Sequence, residues 1–308
     1  MSRTQYTIGI DVGGTRTRVG LCDAEGSLIA QRKLRTLPEP EAMLPQIVGA
    51  IQECLGEQGV SWDDLVGIGL SVAGTVHVGT ERVGKAPNLP QWEGFAPGEA
   101  LQALLRDQGV RDDLPVVVDN DANAAAWGIA RWEAPQLENL VYVTISTGIG
   151  GGIVIGRKLY HGGGGSAAEV GHMILKPGGP RCPCGKLGCW EALASGTAIA
   201  REGRARLGDP QITTPQVFQL AHEGNREAQK ILDEVAEYLG LGFANLTELL
   251  DPETIFLGGG VMNEWEQLQT PALASYGRNA RWRVPIRSTR LGDEVGLLGA
   301  AALVGDRD

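Results

Sequence analysis

The sequence lacks the features that mark a nucleic-acid-binding or membrane protein. Its 308 residues carry 27 Lys and Arg against 37 Asp and Glu, a formal net charge of −10. This balance provides no basic field for a phosphate backbone, so we expect no nucleic-acid partner. No apolar run reaches the ~18 residues of a membrane helix, and the first residues lack the apolar stretch of a signal peptide. We therefore expect no membrane partner and a cytoplasmic location.

Aromatic residues and cysteines are also few, whereas glycine is abundant. The chain has 7 Trp, 5 Tyr, 4 Phe and 5 cysteines. Cytosolic thiols stay reduced, and three cysteines lie close together in residues 182–189, which indicates a metal site rather than disulfides. The 45 glycines have no Gly-X-Y period and 43% of residues are hydrophobic. Collagen and disorder are therefore excluded, and we expect the glycines at turns of a folded chain.

Apolar patterning predicts alternating strands and helices. The predicted strands are 6–10, 19–22, 28–34, 65–72, 116–118, 140–145, 153–155 and 254–257. The predicted helices are 43–55, 101–105, 122–132, 228–243 and 292–304. This alternation is typical of an α/β layered protein. Placing Asp11 over Ser146 superimposes two strand–glycine turn–strand units, which suggests an internal duplication.

Three glycine-rich turns each follow an apolar strand, at residues 11–17, 147–152 and 258–260. Backbone N–H groups in such turns can converge on an anion, and a helix start after the third turn would add dipole attraction. Hairpin geometry alone is the alternative explanation. Asp11, close to Thr15 in the first turn, would repel a phosphate unless Mg²⁺ bridged the two. Otherwise its carboxylate caps its own turn.

A candidate general base follows the buried strand at 116–118. The Asp121 carboxylate could accept the proton of an attacking hydroxyl. Near the ordinary Asp pKa of ~3.9 it would be ionised but weakly basic, which suits phosphoryl transfer because its loose transition state depends mainly on positioning. Asn120 could bind a neighbouring hydroxyl. Alternatively, Asn120, Asp121 and Asn123 only cap the next helix.

The clustered cysteines predict a structural zinc site. Cys182, Cys184 and Cys189, with His172 ten residues before the first of them, supply the Cys₃His set that tetrahedral Zn²⁺ accepts. Unrelated buried thiols are the alternative. The remaining cysteines lie on apolar patterns and are expected in the core: Cys22 and Cys54.

Two glutamates bracket the metal segment. Glu169 and Glu191 could accept hydrogen bonds from a polyhydroxylated ligand, or they are solvated surface residues. The other histidines, His77, His161 and His222, have no ligand-like spacing and carry no predicted role.

Several segments give the chain a strong resemblance to the ROK family (repressor, open reading frame, kinase), and above all to its bacterial glucokinases. The matching segments are IGIDVGGTRTRVGL from Ile8, APNLPQW from Ala86, DNDANAAAWG from Asp119, STGIGGGI from Ser146, EVGHM from Glu169, CPCGKLGCWE from Cys182, IFLGGGV from Ile255 and GLLGAAAL from Gly296. The resemblance implies an α/β, actin-like ATPase (ribonuclease H-like) fold with two lobes and a central cleft. It implies a small N-terminal lobe at 1–121, completed by a C-terminal helix at 293–308, and a large lobe at 122–292 with the zinc loop.

The resemblance also implies roles for individual residues. Asp121 matches the catalytic base. The sugar ligands would be Asn88, Asn120, Asp121, Glu169, His172 and Glu191. The ATP-binding residues would be Asp11, Gly13, Gly14, Thr15, Thr147, Gly148, Gly150, Gly258, Gly259 and Gly260. The zinc ligands would be His172, Cys182, Cys184 and Cys189.

The expected activity is ATP- and Mg²⁺-dependent phosphorylation of the 6-hydroxyl of a hexose, glucose first, by a homodimer. The alternatives are N-acetylglucosamine, N-acetylmannosamine, fructose or mannose as acceptor, polyphosphate as donor, a catalytically inactive sugar binder, or a sugar-responsive regulator of the same family. Two departures from the family pattern stand out. Arg16 replaces a common Lys, and residues 162–168 read GGGGSAA, where glucokinases usually have Asn near Gly164 and Gly at Ala168. This loop puts the identity of the sugar in question.

Overall fold

Two five-stranded sheets form the framework of the chain in a computed structural model that describes residues 5–305. The first part of the chain forms β1 (Tyr6–Val12), β2 (Arg16–Cys22), β3 (Leu28–Arg35), α1 (Pro40–Gln58), β4 (Leu65–Val72), α2 (Pro97–Asp107), β5 (Val116–Asn120) and α3 (Asp121–Gly128). The rest forms β6 (Leu140–Ile145), β7 (Ile149–Ile155), β8 (Lys158–Leu159), α4 (Trp190–Ala194), α5 (Gly196–Leu207), α6 (Thr214–His222), α7 (Arg226–Leu250), β9 (Thr254–Gly258), α8 (Trp265–Asn279), β10 (Ile286–Ser288) and α9 (Val295–Ala302).

The two sheets repeat one topology. The first has the order β3-β2-β1-β4-β5 and the second has the order β8-β7-β6-β9-β10. In the first sheet β1 is antiparallel to β2 and parallel to β4, and β4 is parallel to β5. In the second, β7 is antiparallel to β8, and β9 is parallel to both β6 and β10. The internal duplication suggested by the two glycine turns is therefore confirmed in the strand order.

The chain divides into two compact units. The first unit takes in the described chain up to Glu138, Gly152–Ala167 and the chain from Arg290 onward, and the second takes in Asn139–Gly151 and Ala168–Thr289. These divisions fall at other positions than the predicted lobe boundaries at 121 and 292, because α3 packs against α9 and stays with the first unit. The lobe assignment itself stays a prediction.

The first unit is built on the first sheet. The predicted helix at 43–55 is the centre of α1, whose apolar stripe of Met43, Ile47 and Ile51 is buried. Helix α9 packs on β1, β2 and β4. The approach is so close that a Cβ on Gly69 would lie 1.7 Å from the carbonyl oxygen of Ala300, so only glycine fits there.

The second unit surrounds the long helix α7. Asn225 caps this helix by accepting hydrogen bonds from the backbone N–H groups of Glu227 and Ala228. Helices α4, α5, α6 and α8 all contact α7. The ring of Phe243, from the predicted apolar stripe, meets that of Trp190 edge-to-face at 5.8 Å.

Three predicted boundaries were wrong. Strand β7 begins at Ile149, because the chain enters the second sheet there, so Gly150 lies in a strand rather than in a turn. The helix expected at 122–132 ends at Gly128 and continues as the π-helical turn Ile129–Glu133. The C-terminal helix is shorter than 293–308. It begins at Val295 after the 3₁₀ turn Gly292–Glu294, and residues 306–308 lie outside the described part of the chain.

Among residues 5–305, none of the helices has the length and apolarity needed to cross a bilayer.

Candidate active site

In the first unit, several predicted site residues lie at the ends of the strands β1 and β5. Strands β1, β4 and β5 run parallel, so their carboxyl ends meet at one edge of the sheet. In register, Asp11 lies beside Ser71, and Ser71 lies beside Asp119. Asn120 and Asp121 follow at the junction of β5 and α3. This edge therefore brings together Asp11 and the candidate base.

The Asp11 carboxylate is tightly partnered. Its Oδ2 accepts hydrogen bonds from Arg18 Nε at 3.1 Å and Nη2 at 2.7 Å. Its Oδ1 accepts one from the Ser71 hydroxyl at 3.0 Å. These three hydrogen bonds hold the Asp11 carboxylate in a fixed direction. The sequence did not identify Arg18 or Ser71, because neither belongs to the glycine turn itself.

The first glycine turn lies against a predicted sugar ligand. Gly13 donates its N–H to the carbonyl of Arg16 at 3.0 Å and closes the hairpin. A Cβ on Gly14 would lie only 2.8 Å from the Cβ of Asn88. The predicted phosphate turn and Asn88 are therefore direct neighbours, and a side chain at residue 14 would separate them.

Asn120 caps α3, as the alternative explanation predicted. Its Oδ1 accepts hydrogen bonds from the backbone N–H groups of Ala122 at 2.9 Å and Asn123 at 3.2 Å. Its Nδ2 donates to the Gly74 carbonyl and to Asp121 Oδ1, both at 2.9 Å. All the hydrogen-bonding capacity of this amide is in use, and part of it holds the Asp121 carboxylate.

Asp121 departs from the expected acidity. Burial, together with the nearby negative charge of Asp11, raises the pKa of Asp121 to about 7, although bonds from Ala122 and Asn120 oppose the shift. The ordinary aspartate pKa expected from the sequence is therefore wrong, because spacing reveals neither the burial of Asp121 nor Asp11 as its neighbour. A carboxylate with this pKa is a much stronger base than an exposed one.

The second unit places the other two glycine turns side by side. Gly259 has a φ of 92°, and a Cβ there would lie 2.5 Å from the carbonyl oxygen of Ile145. The Ser146 carbonyl accepts the N–H of Gly196 at 2.8 Å, and the Thr147 carbonyl accepts the Thr197 hydroxyl at 2.8 Å. The turn at 146–148 and the segment 258–260 therefore form one backbone-lined surface at the start of α5.

Glu191 belongs to the same surface. Its Oε2 accepts the backbone N–H of Ile149 at 3.1 Å. A Cβ on Gly148 would lie 2.4 Å from that oxygen. Its Oε1 lies 3.5 Å from the Sγ of Cys182. Glu191 is therefore no free surface residue, since it joins the glycine turn to the cysteine loop.

The predicted zinc ligands come together in space. The Cys182 Sγ lies 3.7 Å from His172 Nδ1, and the Sγ atoms of Cys184 and Cys189 are 3.6 Å apart. The four ligand atoms all lie within 4.8 Å of one another. Zn–S bonds of about 2.3 Å at tetrahedral angles put neighbouring sulfurs roughly 3.8 Å apart. Three thiols and one imidazole gathered within 4.8 Å therefore fit the donor set and the approximate spacing of a tetrahedral Zn²⁺ site.

The segment before the zinc loop carries the remaining predicted ligands. Glu169 precedes the 3₁₀ turn Val170–His172, and its Oε2 lies 3.6 Å from His172 Nε2. Because Nδ1 faces the sulfurs, Nε2 is the nitrogen that faces Glu169. Ala168, the position where glucokinases usually have Gly, has a φ of 63°. This left-handed backbone explains the family preference for glycine.

The structure thus distributes the predicted residues over its two units. The first unit holds Asp11, Gly13, Gly14, Thr15, Asn88, Asn120 and Asp121, and the second holds Thr147, Gly148, Gly150, Glu169, His172, Cys182, Cys184, Cys189, Glu191, Gly258, Gly259 and Gly260. Asp11, Asn120 and Asp121 in the first unit, and the turns at 146–148 and 258–260 in the second, lie at the carboxyl ends of parallel strands, which is where open α/β sheets bind ligands.

Known proteins resemble the chain over almost its whole length. A profile of the ROK family matches residues 7–307. A glucokinase from Streptomyces coelicolor is 36% identical, with 98% of each chain covered. An N-acetylmannosamine kinase from Escherichia coli O157:H7 is 32% identical, with 96% of this chain and 97% of the relative covered.

A solved structure extends the similarity to three dimensions. It is the crystal structure of a ROK family glucokinase from Streptomyces griseus in complex with glucose and AMPPNP. It is 34% identical, covers 97% of this chain and 98% of its own, and gives a TM-score of 0.80. With the duplicated sheets, this similarity confirms the predicted α/β, actin-like ATPase fold. The chain belongs to the ROK family.

Proposed function

We propose that this protein is an ATP-dependent hexose kinase that phosphorylates the 6-hydroxyl of glucose. The observation that carries the proposal is full-length similarity to glucokinases, one of them solved with glucose and an ATP analogue. The aspartate with a raised pKa at the start of α3 supports it, because a kinase needs a group that takes the hydroxyl proton.

In this proposal Asp121 is the general base. Ionised, it accepts the proton of the 6-hydroxyl as that oxygen attacks the γ-phosphorus, and ADP leaves with the electron pair of the broken bond. Asn120 holds the Asp121 carboxylate through its 2.9 Å bond. Because the Asn120 amide is fully bonded, a sugar hydroxyl would have to replace one of its present partners.

The remaining predicted ligands would hold the sugar. Asn88 and Glu169 supply amide and carboxylate groups for its hydroxyls. His172 offers Nε2 while Nδ1 faces the cysteines. Glu191 would accept from a hydroxyl with an oxygen whose direction is set by the N–H of Ile149.

The glycine turns and Asp11 would serve ATP and Mg²⁺. Mg²⁺ neutralises charge on the phosphates when it is bound. Asp11 suits an outer position toward the metal, because its two oxygens already accept from Arg18 and Ser71. The turns at 13–15 and 147–148 would present backbone N–H groups to the phosphates, with Gly150 on the adjacent strand and adenosine near 258–260.

The cysteine cluster would bind one structural Zn²⁺. Four protein ligands close the coordination sphere, so this metal has no open position for substrate. Its role would be to fix His172 and the Glu191 loop. From the family resemblance we also infer that the protein is a homodimer and is cytoplasmic. Light scattering on the purified protein would test the dimer.

A kinase for N-acetylmannosamine is the second candidate. The relative with that activity covers nearly the whole chain, and residues 162–168 depart from the glucokinase pattern in the loop that leads to Glu169.

A coupled ADP-release assay tests both candidates. The panel is glucose, mannose, fructose, N-acetylglucosamine and N-acetylmannosamine, each with MgATP. Glucose is also assayed with polyphosphate, and there the formation of glucose 6-phosphate is measured directly. The proposal expects the highest kcat/KM for glucose with ATP. A higher kcat/KM for N-acetylmannosamine would select the second candidate, and no transfer to any sugar would contradict both.

A further inference from the structure

The residue two positions before the proposed base is a buried carboxylate with three hydrogen bonds. Asp119, in β5, is only 3% exposed. Its Oδ1 accepts hydrogen bonds from the Asn120 backbone N–H at 2.7 Å and from Asn123 Nδ2 at 3.0 Å. Its Oδ2 lies 2.6 Å from His161 Nε2. A carboxylate only accepts, so His161 donates this bond.

The partners of Asp119 all lead to the start of α3. Asn123 and Asn120 belong to the first turn and the cap of that helix. Asn120 in turn donates to Asp121 Oδ1 at 2.9 Å. A continuous set of hydrogen bonds therefore runs from His161, through Asp119 and Asn120, to the proposed base.

His161 is itself held in place by its own loop. It follows β8 and precedes the four glycines at 162–165, and its carbonyl accepts the N–H of Ala167 at 3.1 Å. A Cβ on Gly165, whose φ is 83°, would lie 2.2 Å from the carbonyl oxygen of Val76. Cβ atoms on Gly163 and Gly164 would meet nothing within 4 Å. The glycine loop is thus anchored at both ends, and only its tip stands in open space.

A cavity of about 380 Å³ lies beside this pair, within the first unit. Its wall includes Val118, Trp127, Leu159, Asp119 and His161. The wall also carries the charged residues Glu81, Arg157 and Lys158. Asp119 itself is only 3% exposed, so leaving its carboxylate without the His161 bond is costly. Stability alone is a poor reason for such an arrangement, because a buried carboxylate with polar partners often gains little over apolar residues.

We propose that His161 is a positioning residue for phosphoryl transfer, which through Asp119 fixes the first turn of α3 and so the direction of the Asp121 carboxylate. This inference rests on the proposed function. A base displaced by about 1 Å can cost on the order of 10²-fold in rate. His161 is not among the residues assigned above to the reacting atoms or to the sugar, so we expect its loss to act on the chemical step and to leave sugar binding largely intact.

The test compares His161→Ala with His161→Gln in the ADP-release assay. The Gln Nε2 can donate to Asp119 from nearly the same reach as the imidazole. His77→Gln is the matched control, because His77 lines the same cavity. We expect His161→Ala to lower kcat about tenfold or more while the hexose KM stays within twofold. His161→Gln should recover most of the loss, and His77→Gln should match the wild type.

A double-variant cycle with Asp119→Asn separates positioning from folding. If His161 acts through Asp119, the doubly substituted protein is no slower than the slower single variant. Thermal melts locate an assay temperature at which all variants are folded, so a residual loss of kcat is not unfolding.

Three results would overturn the inference. One is a wild-type kcat in both His161 variants. Another is a loss in His161→Ala that Gln does not reverse and that adds to the Asp119→Asn loss. The third is an equal loss in the His77→Gln control. If the wild-type protein is inactive on the whole sugar panel, the proposed function is refuted and this inference with it. If the wild type is active and the His161 variants have the same kcat, only the inference is refuted.

Discussion

The raised pKa of Asp121 makes a specific prediction about the pH dependence of catalysis. The base works only when ionised, and with a pKa of about 7 it is ionised in roughly one tenth of molecules at pH 6. The kcat/KM for hexose should therefore fall about tenfold from its plateau to pH 6. An aspartate with the ordinary pKa of ~3.9 would be about 99% ionised at pH 6, and kcat/KM would hardly change.

The same shift fixes the direction of a stability effect. A folded-state pKa above the unfolded value means that the folded protein holds this proton more tightly. The contribution favours folding at pH values below about 4 and is lost as pH rises through about 7. Asp121→Asn keeps the shape without the charge, so it should be more stable than the wild type at pH 8, by at most about 4 kcal/mol.

The assay is a pH series of initial rates at saturating MgATP, with thermal melts of wild type and Asp121→Asn at pH 5 and pH 8. Asp121→Asn should lose nearly all turnover yet still bind hexose in calorimetry, and any residual rate should show no acid limb. Turnover of the variant within tenfold of wild type would refute the assignment of the base, whereas an acid limb near pH 4 would refute the raised pKa. Equal melting temperatures of the two proteins at pH 8 would refute the raised pKa.

Two further predictions concern the second unit. Cys184→Ser should lower the bound zinc from about one ion per chain to well below that and reduce the melting temperature, because the Cys₃His set loses a thiolate. Metal analysis and melting curves with and without a chelator measure this. The prediction is contradicted if wild-type protein without zinc is as stable as wild-type protein with it. Ala168→Gly should stabilise the protein by up to about 1 kcal/mol in urea unfolding, since φ is 63° there; an unchanged or lower midpoint would show that the left-handed backbone carries no strain.

Local pattern predicted most of the described strands and the helices α1, α2, α3, α7 and α9, but it did not locate α4, α5, α6 and α8. The apolar runs at 65–72 and 140–145 are β4 and β6 as they stand, since a buried parallel strand reads as a continuous apolar run. The repeated glycine turns indicated the duplication that the strand orders confirm. The short strands β8 and β10 went unpredicted, because so few residues form no period and their pairing is decided by the neighbouring strand.

In the candidate site, features that depend on residues close in sequence were predicted, and features that depend on residues far apart in sequence were not. Residue type and spacing found the cysteine cluster, because three of its ligands lie within one short loop and thiolate chemistry is specific. Spacing found Asp121 but not its acidity, which depends on burial and on Asp11, far away in sequence. His161 lies 42 residues from Asp119, so no sequence period joins them. The hydrogen bonds that orient a catalytic base come from segments distant in sequence. Such a hydrogen-bond partner can be recognised only when the strand order is known.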